Sequence, residues 1–307
     1  MPEFSIVLPC FNAAATLGDT LDSLIGQSLT DWEAICVDDG STDRTAALIQ
    51  EYSAHDGRIR LATHPGQGPS AARNAGALHH ATGQFIAFCD ADDIWHPKKL
   101  VRLQQSFADP AVDAAYGRVA FFDGDRPARM RFSTVPGAAL TIRMLLAENP
   151  VCTMSNLTIR RDCLAEWGGF DEKLNHNEDL DWLIRLAGNG ARIIGDPELH
   201  VLYRTGSRGL SSDLYAMRSG RDVALATAAH YGVHPYRRDE AIFARYLARR
   251  ALRLDDGAWT ALRFTLAGLS QSPLAFLFPL RRGAATAAAS IAAPLMPRAV
   301  RRALFTV

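Results

Sequence analysis

Short apolar runs alternate with helix-like segments over the first 90 residues of the chain. Four of these runs predict buried strands, at residues 4–8, 34–37, 59–62 and 85–89. Between the first two runs, Leu17, Leu21 and Leu24 recur at helical spacing, and an alanine-rich helix is expected over 70–81. Apolar strands that alternate with helices are typical of βαβ units and of a sheet covered on both faces.

Beyond residue 113 the pattern is less regular, and from about residue 211 it becomes helical to the end. We expect further strands at residues 114–122, 156–160, 192–194 and 199–203. Residues 178–187 place apolar side chains on one face of a helix. The pattern therefore predicts an α/β domain over residues 1–210 and a helical extension over residues 211–307.

Carboxylates follow two of the predicted strands at the point where each strand ends. Asp38 and Asp39 follow the second strand, and Asp90, Asp92 and Asp93 follow the fourth. Ligands of such sheets bind outside the carboxyl ends of the strands. Five desolvated acids would be unfavourable unless a cation neutralised them, and hard cations such as Mg²⁺ and Mn²⁺ prefer oxygen ligands. Solvated acidic loops are the alternative interpretation.

The composition is that of an ordinary globular protein. The 307 residues are 48% hydrophobic and 21% charged, which excludes a disordered, collagen-like or small disulfide-bonded chain. With 33 basic and 33 acidic residues the net charge is zero, which argues against a dedicated nucleic-acid-binding protein. The five cysteines lack C-x-x-C spacing and are expected to be reduced. The first strand-like run starts after only three residues, without a basic start or a long apolar core, so we expect no secretory signal and a cytoplasmic location.

The charge is unevenly distributed, because no Asp or Glu follows Asp256. The last 51 residues contain six arginines and carry +6, which leaves −6 for the first 256 residues. Two uncharged runs, at 264–280 and 283–297, are shorter than the roughly 20 apolar residues of a membrane-spanning helix, and both contain proline. Two interpretations remain open: segments that lie in the interface of an anionic membrane, or a helical subdomain packed on the rest of the chain.

Five segments of the chain carry polar motifs in a characteristic order. They are 5–12 (Ser-Ile-Val-Leu-Pro-Cys-Phe-Asn), 37–43 (Val-Asp-Asp-Gly-Ser-Thr-Asp), 72–76 (Ala-Arg-Asn-Ala-Gly), 90–93 (Asp-Ala-Asp-Asp) and 177–179 (Asn-Glu-Asp). This order and spacing resembles glycosyltransferase family 2 over roughly residues 4–205. The resemblance implies the GT-A fold, a nucleotide-binding α/β sandwich with a mainly parallel central sheet. Its donor half would span about 1–110 and its acceptor half about 111–210.

The resemblance also implies the reaction: transfer of a sugar from a nucleotide-sugar donor to an acceptor hydroxyl, with inversion at the anomeric carbon and with Mg²⁺ or Mn²⁺ as cofactor. It places Pro9 and Phe11 in the pocket for the donor base, where the Phe11 ring is suited to stack. Asp39 is expected to accept a hydrogen bond from a pyrimidine ring N–H, which favours UDP or dTDP, because an ionised carboxylate is only an acceptor. Arg73 is expected near the diphosphate or base. The alternatives are core packing for Phe11 and an exposed helical position for Arg73.

Asp90 and Asp92 form the D-x-D motif that the resemblance assigns to donor binding. Either Asp92 or Asp93 is expected to be the direct metal ligand, with its neighbour bonded to the ribose. One or two carboxylates suffice for such a site when substrate phosphates supply further ligands.

Asp179 is the residue that the resemblance implies as general base. A carboxylate there would take the proton from the acceptor hydroxyl as the glycosidic bond forms. Glu178 is expected to orient this segment or contact the acceptor, and His176 to contact the acceptor or a phosphate. The alternative is that these acids offset the macrodipole in the first turn of a helix.

The sequence thus predicts a metal-dependent hexosyltransferase of cell-envelope polysaccharide or glycolipid synthesis. It would use a nucleotide-sugar and a saccharide or lipid-linked acceptor, at the inner face of the cytoplasmic membrane and without a nucleic-acid partner. A GT-A-like sugar nucleotidyltransferase is one alternative, although residues 10–13 lack its Gly-rich loop. A non-catalytic, membrane-associated scaffold is the other. Residues 66–71 fit a dinucleotide-binding pattern, but they follow the third strand and include Pro69, so a turn is the simpler interpretation.

Overall fold

Parallel strands form the first part of the central sheet. The computed structural model describes residues 1–64, 66–122, 130–174, 176–205, 214–254 and 257–305. Its first strands are β1 Phe4–Cys10, β2 Trp32–Asp38, β3 Ile59–Thr63 and β4 Phe85–Phe88. They lie in the order β3-β2-β1-β4 and all pair in parallel. The helices that connect them are α1 Leu17–Ile25, α2 Thr45–His55 and α3 Pro69–Asn74. The βαβ pattern expected of this region is confirmed.

A π-helical turn, Ala75–His80, continues α3 and packs on β1. Gly76 in this turn has no room for a side chain, because a Cβ atom there would lie 2.4 Å from Cγ1 of Val7. The backbone of the turn therefore lies directly on the strand. This close approach fixes the end of α3, and with it Arg73, over the sheet.

The second part of the sheet is mixed. Its strands are β5 Ile94–Trp95, β6 Ala114–Phe122, β7 Arg131–Phe132, β8 Thr158–Arg160 and β9 Ile193–Arg204. The order continues from β4 as β8-β6-β9-β5, and β7 pairs with β6. Strand β8 is antiparallel to β4 and β6, whereas β9 is parallel to β6. The helices of this part of the chain are α4 Lys99–Phe107, α5 Ile142–Ala147, α6 Arg161–Trp167 and α7 Glu178–Gly188.

The two strands expected at 192–194 and 199–203 are one continuous strand, β9. Its register with β6 shifts near Gly117. A Cβ atom on Gly117 would lie 2.1 Å from the ring of His200, so the buried imidazole occupies the space that a side chain would take. His200 Nε2 in turn pairs with Asp196 at 2.8 Å. The polar residues around Asp196 interrupt the apolar pattern, which is why the sequence suggests two strands.

The carboxyl ends of β1, β2 and β4 meet at one edge of the sheet. Cys10 at the end of β1 pairs with Asp38 at the end of β2, and Val7 pairs with Phe88 at the end of β4. The loops that follow these strands therefore begin side by side. The acidic segments of the sequence lie in two of these loops.

The chain divides into two compact units. The first comprises Met1–Leu140 and Pro150–Thr205, and the second comprises Thr141–Asn149 and Gly206–Val307. Along the chain the division falls close to the expected boundary at residue 210. Residues 141–149, however, lie inside the expected acceptor half and belong to the second unit. The sequence did not indicate that these residues belong to the second unit.

Helices make up the described part of the second unit. Besides α5 they are α8 Leu214–His230, α9 Arg237–Ala251, α10 Ala258–Gln271, α11 Pro273–Leu277, α12 Leu280–Ala292 and α13 Arg298–Phe305. Leu247, Ala251 and Phe264 are buried in a small core formed largely by α9 and α10. Within the ranges given above, none of the helices combines the length and apolar character needed to cross a membrane.

Candidate active site

The loops after β1 and β2 are tied together at the sheet edge. Asn12 adopts a left-handed backbone (φ 47°), which asparagine tolerates better than most residues. Its amide oxygen accepts the N–H of Thr42 at 2.8 Å, and its own N–H donates to Oγ of Ser41 at 3.0 Å. Phe11 lies next to this turn with 60% of its surface exposed, so it does not pack in the core. Pro9 is half-buried in β1 beside it.

Asp39 lies just beyond the end of β2, where the backbone of Gly68 binds it and the buried ring of His64 lies beside it. Its oxygens accept the backbone N–H of Gly68 at 3.1 and 2.9 Å. Nε2 of His64 lies 3.0 Å from Oδ1, and only 2% of the His64 side chain is exposed. Gly68 has φ +91°, a conformation that favours glycine and turns its N–H to the carboxylate. Asp38, by contrast, accepts Ser41 N–H and caps the turn.

Arg73 joins two of the predicted site segments. Its guanidinium is 7% exposed; Nη2 donates to Oδ1 of Asp90 at 2.8 Å and Nη1 donates to Oε1 of Glu178 at 3.1 Å. Arg73 is therefore not the exposed helical residue that was the alternative. We call this pair of contacts, from one guanidinium to two carboxylates, the fork of Arg73. A planar guanidinium suits it, because its nitrogens bind the two carboxylates in fixed directions.

The acidic loop, residues 90–93, is anchored through Asp90. The N–H of Asp90 donates to Oγ of Ser155 at 2.8 Å, and Oγ1 of Thr153 donates to its Oδ2 at 3.0 Å. Asp92 is exposed, yet the surrounding protein desolvates its carboxyl and Asp90 repels its charge, which together raise its pKa to about 6. Nε of Arg204 binds the backbone oxygen of Asp92 at 3.1 Å.

Asp93 lies behind this loop and is fully buried. Its Oδ1 accepts the N–H of Arg204 at 3.1 Å, and its Oδ2 lies 3.4 Å from Oγ1 of Thr153. Burial and the charges of Asp90 and Asp92 raise the pKa of Asp93 well above its usual range. Of the two residues expected as direct metal ligands, Asp92 is thus the one whose carboxyl reaches solvent.

Asp179 lies in the first turn of α7. Asn177 precedes the helix with a left-handed backbone (φ 58°), and Oδ1 of Asp179 accepts the N–H of Leu180 at 2.7 Å. Burial and the neighbouring Glu178 raise the pKa of Asp179 to about 6. His176 is half-buried in the turn before the helix. Glu178 and Asp179 therefore both lie in the first turn of α7, and Arg73 connects this helix to the acidic loop.

Three residues of the site were missed by sequence reasoning: His64, Thr153 and Arg204. Each lies outside the recognised motifs and reaches the site through long-range packing. Arg204, at the end of β9, carried the clearest signal, because the last strand of an α/β sheet ends at the same edge as the ligand site. The described residues contain no group of three or more His, Cys, Asp or Glu side chains arranged to hold a metal ion.

Acidic loops gathered at the carboxyl edge of a mainly parallel sheet, and joined through Arg73 to a further carboxylate pair, are the arrangement expected of a glycosyltransferase of the GT-A class. The chain belongs to glycosyltransferase family 2: the sequence model of that family, described as "Glycosyl transferase family 2", matches residues 5–168. The family and fold predictions are confirmed. Glycosyltransferase activity is supported over the nucleotidyltransferase alternative.

Relatives and solved structures agree with this assignment. The chain is 42% identical over 213 residues to UDP-Glc:alpha-D-GlcNAc-diphosphoundecaprenol beta-1,3-glucosyltransferase WfgD of Escherichia coli, covering 69% of this chain and 80% of that protein. The next relatives match over 100–124 residues, under half of their own length.

Two solved structures show the same fold. Staphylococcus aureus TarS 1-349 in complex with UDP-GlcNAc has a TM-score of 0.58 at 18% identity, over 98% of this chain and 91% of that one. The mannosyltransferase PcManGT from Pyrobaculum calidifontis, in complex with GDP-Man and Mn²⁺, has a TM-score of 0.59 at 21% identity, over 96% and 86%.

Proposed function

We propose that this protein transfers a hexose from a UDP-sugar to a hydroxyl of a lipid-linked saccharide, with inversion, in the synthesis of a cell-envelope polysaccharide. The observation that carries the proposal is the fork of Arg73, which binds Asp90 of the acidic loop and Glu178 beside Asp179. A donor-side and an acceptor-side carboxylate thus share one ion-pair network. The relative WfgD, by its name a UDP-Glc transferase to a diphosphoundecaprenol-linked sugar, supports this choice of substrates.

The donor base would bind between the ends of β1 and β2. The exposed ring of Phe11 offers a face on which a base can stack, with Pro9 beside it. Asp39 would accept the ring N–H of uracil. Its carboxylate has capacity for this bond, because an ionised carboxylate offers about four lone-pair sites and the N–H of Gly68 engages only part of them.

Asp179 would act as the general base. The acceptor oxygen attacks the anomeric carbon, the bond from that carbon to the diphosphate oxygen breaks, and the hydroxyl proton passes to Asp179. A carboxyl with a pKa of about 6 is ionised at neutral pH and still basic enough to accept the proton as it becomes acidic. Glu178, held by Arg73, would position the first turn of α7, and His176 would lie on the acceptor side.

Mg²⁺ or Mn²⁺ would be held by Asp92, with Asp90 beside it in the same motif. Two carboxylates suit a hard cation that completes its coordination with substrate phosphates and water. The raised pKa of Asp92 is consistent with such a site, because crowded carboxylates are stabilised by a cation. When bound, the metal would neutralise charge on the departing diphosphate. Asp93, which is buried, would instead stabilise the acidic loop through its contacts with Arg204 and Thr153.

The test is a donor panel of UDP-, dTDP- and GDP-sugars, with Mn²⁺ and a lipid-linked saccharide acceptor. Turnover is expected with a UDP-sugar, and Asp179→Asn is expected to reduce it by about 10²- to 10⁴-fold. Asp162→Asn is the matched control, because Asp162 is an exposed acid in the first turn of another helix, α6. A chain that turns over no UDP-sugar, or an Asp179→Asn variant as active as the control, would contradict the proposal.

We also propose that the second unit binds the surface of an anionic membrane. Large apolar side chains are exposed along its last helices, among them Leu274 at 72% and Leu295 at 88%. In α13, Val300 and Leu304 share one side of the helix and are 43% and 54% exposed, while Arg298 lies on the opposite side. Exposed apolar groups next to arginines suit a segment that lies in an anionic interface.

Vesicle flotation of the full chain tests this second proposal. Vesicles that contain phosphatidylglycerol are expected to carry the protein, and pure phosphatidylcholine vesicles to carry much less. Replacing Leu274 and Leu295 together by serine is expected to weaken flotation by about tenfold or more, because each exposed leucine would bury apolar surface in the membrane. Val223→Ser, at an exposed valine of α8, is the control. Equal flotation by the double variant and the control would exclude this surface.

A further inference from the structure

Lys99 is a fully buried cation that the proposed reaction does not use. It is the first residue of α4, none of its surface is exposed, and Nζ lies 3.7 Å above the ring centre of Trp95. Burial lowers the pKa of its ammonium to about 7, against the opposing influence of Cys89, Asp93 and Asp90. A buried charge is strongly unfavourable unless it is paired or hydrogen-bonded, so the partners of Nζ indicate what the residue does.

The hydrogen-bond partner of Lys99 is the backbone oxygen of Ser155. Ser155 belongs to a tight turn, residues 153–155, in which the hydroxyls of Thr153 and Ser155 contact the acidic loop. Oγ of Ser155 accepts the N–H of Asp90, and Oγ1 of Thr153 donates to the Asp90 carboxylate. The same hydroxyl lies 3.4 Å from Oδ2 of Asp93. The 153–155 turn is therefore the direct support of Asp90.

The backbone that leads into this turn is strained. Cys152, directly before Thr153, has φ +71°, a left-handed conformation that side-chain-bearing residues other than asparagine and aspartate seldom adopt. Such a conformation persists only when the surrounding structure holds it in place. The bond from Lys99 to Ser155 is one contact that holds the end of the turn. Without it, the turn would be free to relax away from Asp90.

We propose that Lys99 is a positioning residue of the donor site: its ammonium holds the 153–155 turn, and the turn holds Asp90 where Arg73 binds it. The loop is then assembled before any donor arrives. The proposal rests on the proposed function, because it takes the acidic loop as part of the donor site.

Lys99→Met tests the proposal, since it removes the charge and the hydrogen bond while keeping an unbranched apolar stem on Trp95. The affinity for UDP in the presence of Mn²⁺, measured by calorimetry on folded protein, is expected to fall by about tenfold. Amide hydrogen exchange of residues 90–93 is expected to accelerate more than exchange in β1 and β2. Lys98→Met is the matched control, because Lys98 is its exposed neighbour.

If Lys99→Met does not fold, Ser155→Ala tests the other half of the proposal, the support of Asp90 by the 153–155 turn. It deletes the acceptor of the Asp90 N–H without a change of buried charge, and the same loss of UDP affinity and the same local exchange are expected. If both single variants fold, their effects are expected to be less than additive when combined, because they act on one turn.

Unchanged exchange at residues 90–93 in Lys99→Met, or in Ser155→Ala if the former is unfolded, would overturn the role of Lys99. So would a UDP affinity within twofold of the wild type. Exchange is measured without ligand, so it decides the role of Lys99 even if UDP is the wrong nucleotide. Absence of UDP binding by the wild-type chain would instead overturn the proposed donor.

Discussion

The acidic ends of β2 and β4 are built from similar residues but are held in different ways. After β2, Asp39 is held by the backbone N–H of Gly68, with His64 close beside it. After β4, Asp90 is held by the guanidinium of Arg73, which also holds Glu178. A backbone donor is fixed by the fold, whereas a buried arginine can be lost in a single substitution. The end of β4 should therefore be the more vulnerable of the two.

The largest effect is expected for Arg73→Met, which leaves Asp90 and Glu178 without their shared cation. Turnover is expected to fall more than 100-fold, and unfolding in urea to show a loss of about 3 kcal/mol, the lower end of the range for a broken buried pair because Asp90 remains partly exposed. Arg44→Met is the control, since its ion pair with Glu51 is exposed and contributes little. Equal stability of the two variants would remove the distinction between the strand ends.

The dependence of the reaction rate on pH tests the carboxylates of α7, Glu178 and Asp179, to which Arg73 connects the end of β4. Because the pKa of Asp179 is raised to about 6, the base is ionised above that pH and protonated below it. The kcat/KM for the acceptor is therefore expected to fall about tenfold per unit as the pH drops below 6, because kcat/KM reports the ionisation of the enzyme before the acceptor binds. Binding of UDP, measured separately over the same range, shows how much of the loss belongs to the donor site. A flat profile between pH 5 and 7 would contradict Asp179 as the base.

A smaller effect is expected at the end of β2. Asp39→Asn is expected to weaken UDP binding by about tenfold, since an amide in its place is a poorer acceptor and presents an unmatched donor to Gly68 or the base. Asp38→Asn provides the control, because Asp38 caps the turn and does not belong to the proposed base pocket. Calorimetry with UDP distinguishes them. A larger loss for the Asp38 variant would reverse the assignment of the two acids.

The smallest effect is expected for His64→Gln. His64 lies close to Asp39 without a well-aligned hydrogen bond, and the N–H of Gly68 still binds the carboxylate in this variant. UDP affinity is therefore expected to fall only a few-fold, with no change in turnover at saturating donor. Kinetics at varied UDP-sugar concentration would show this as a higher KM with an unchanged kcat. A fall in kcat instead would place His64 in contact with the reacting part of the donor.

Local patterns were sufficient to predict the first sheet segment and its acidic edge. Strands β1, β2 and β4 are apolar on both faces, and this character is visible within a few residues of sequence. The edge follows from topology, since parallel strands end on the same side. The motif residues Asp39, Asp90 and Asp179 lie at element ends that such a pattern can place.

Long-range packing decided the features that the sequence did not reveal. Lys98 and Lys99 are adjacent lysines with the same local context, yet the first is exposed and the second is fully buried against Trp95. Asp92 and Asp93 differ in the same way. The assignment of residues 141–149 to the second unit likewise depends on partners far along the chain. No local pattern distinguishes the members of these pairs.

The fork of Arg73 has a consequence for the way the two substrates bind. It joins residues 17 and 105 positions away along the chain, one in the acidic loop and one in the helix that carries the proposed base. We expect a displacement of one carboxylate to be felt by the other, because both bind the same planar guanidinium. Thermodynamic linkage makes such transmission reciprocal: whatever the donor does to acceptor affinity, the acceptor does equally to donor affinity. The two substrates are therefore expected to bind as a coupled pair, with Arg73 as the link.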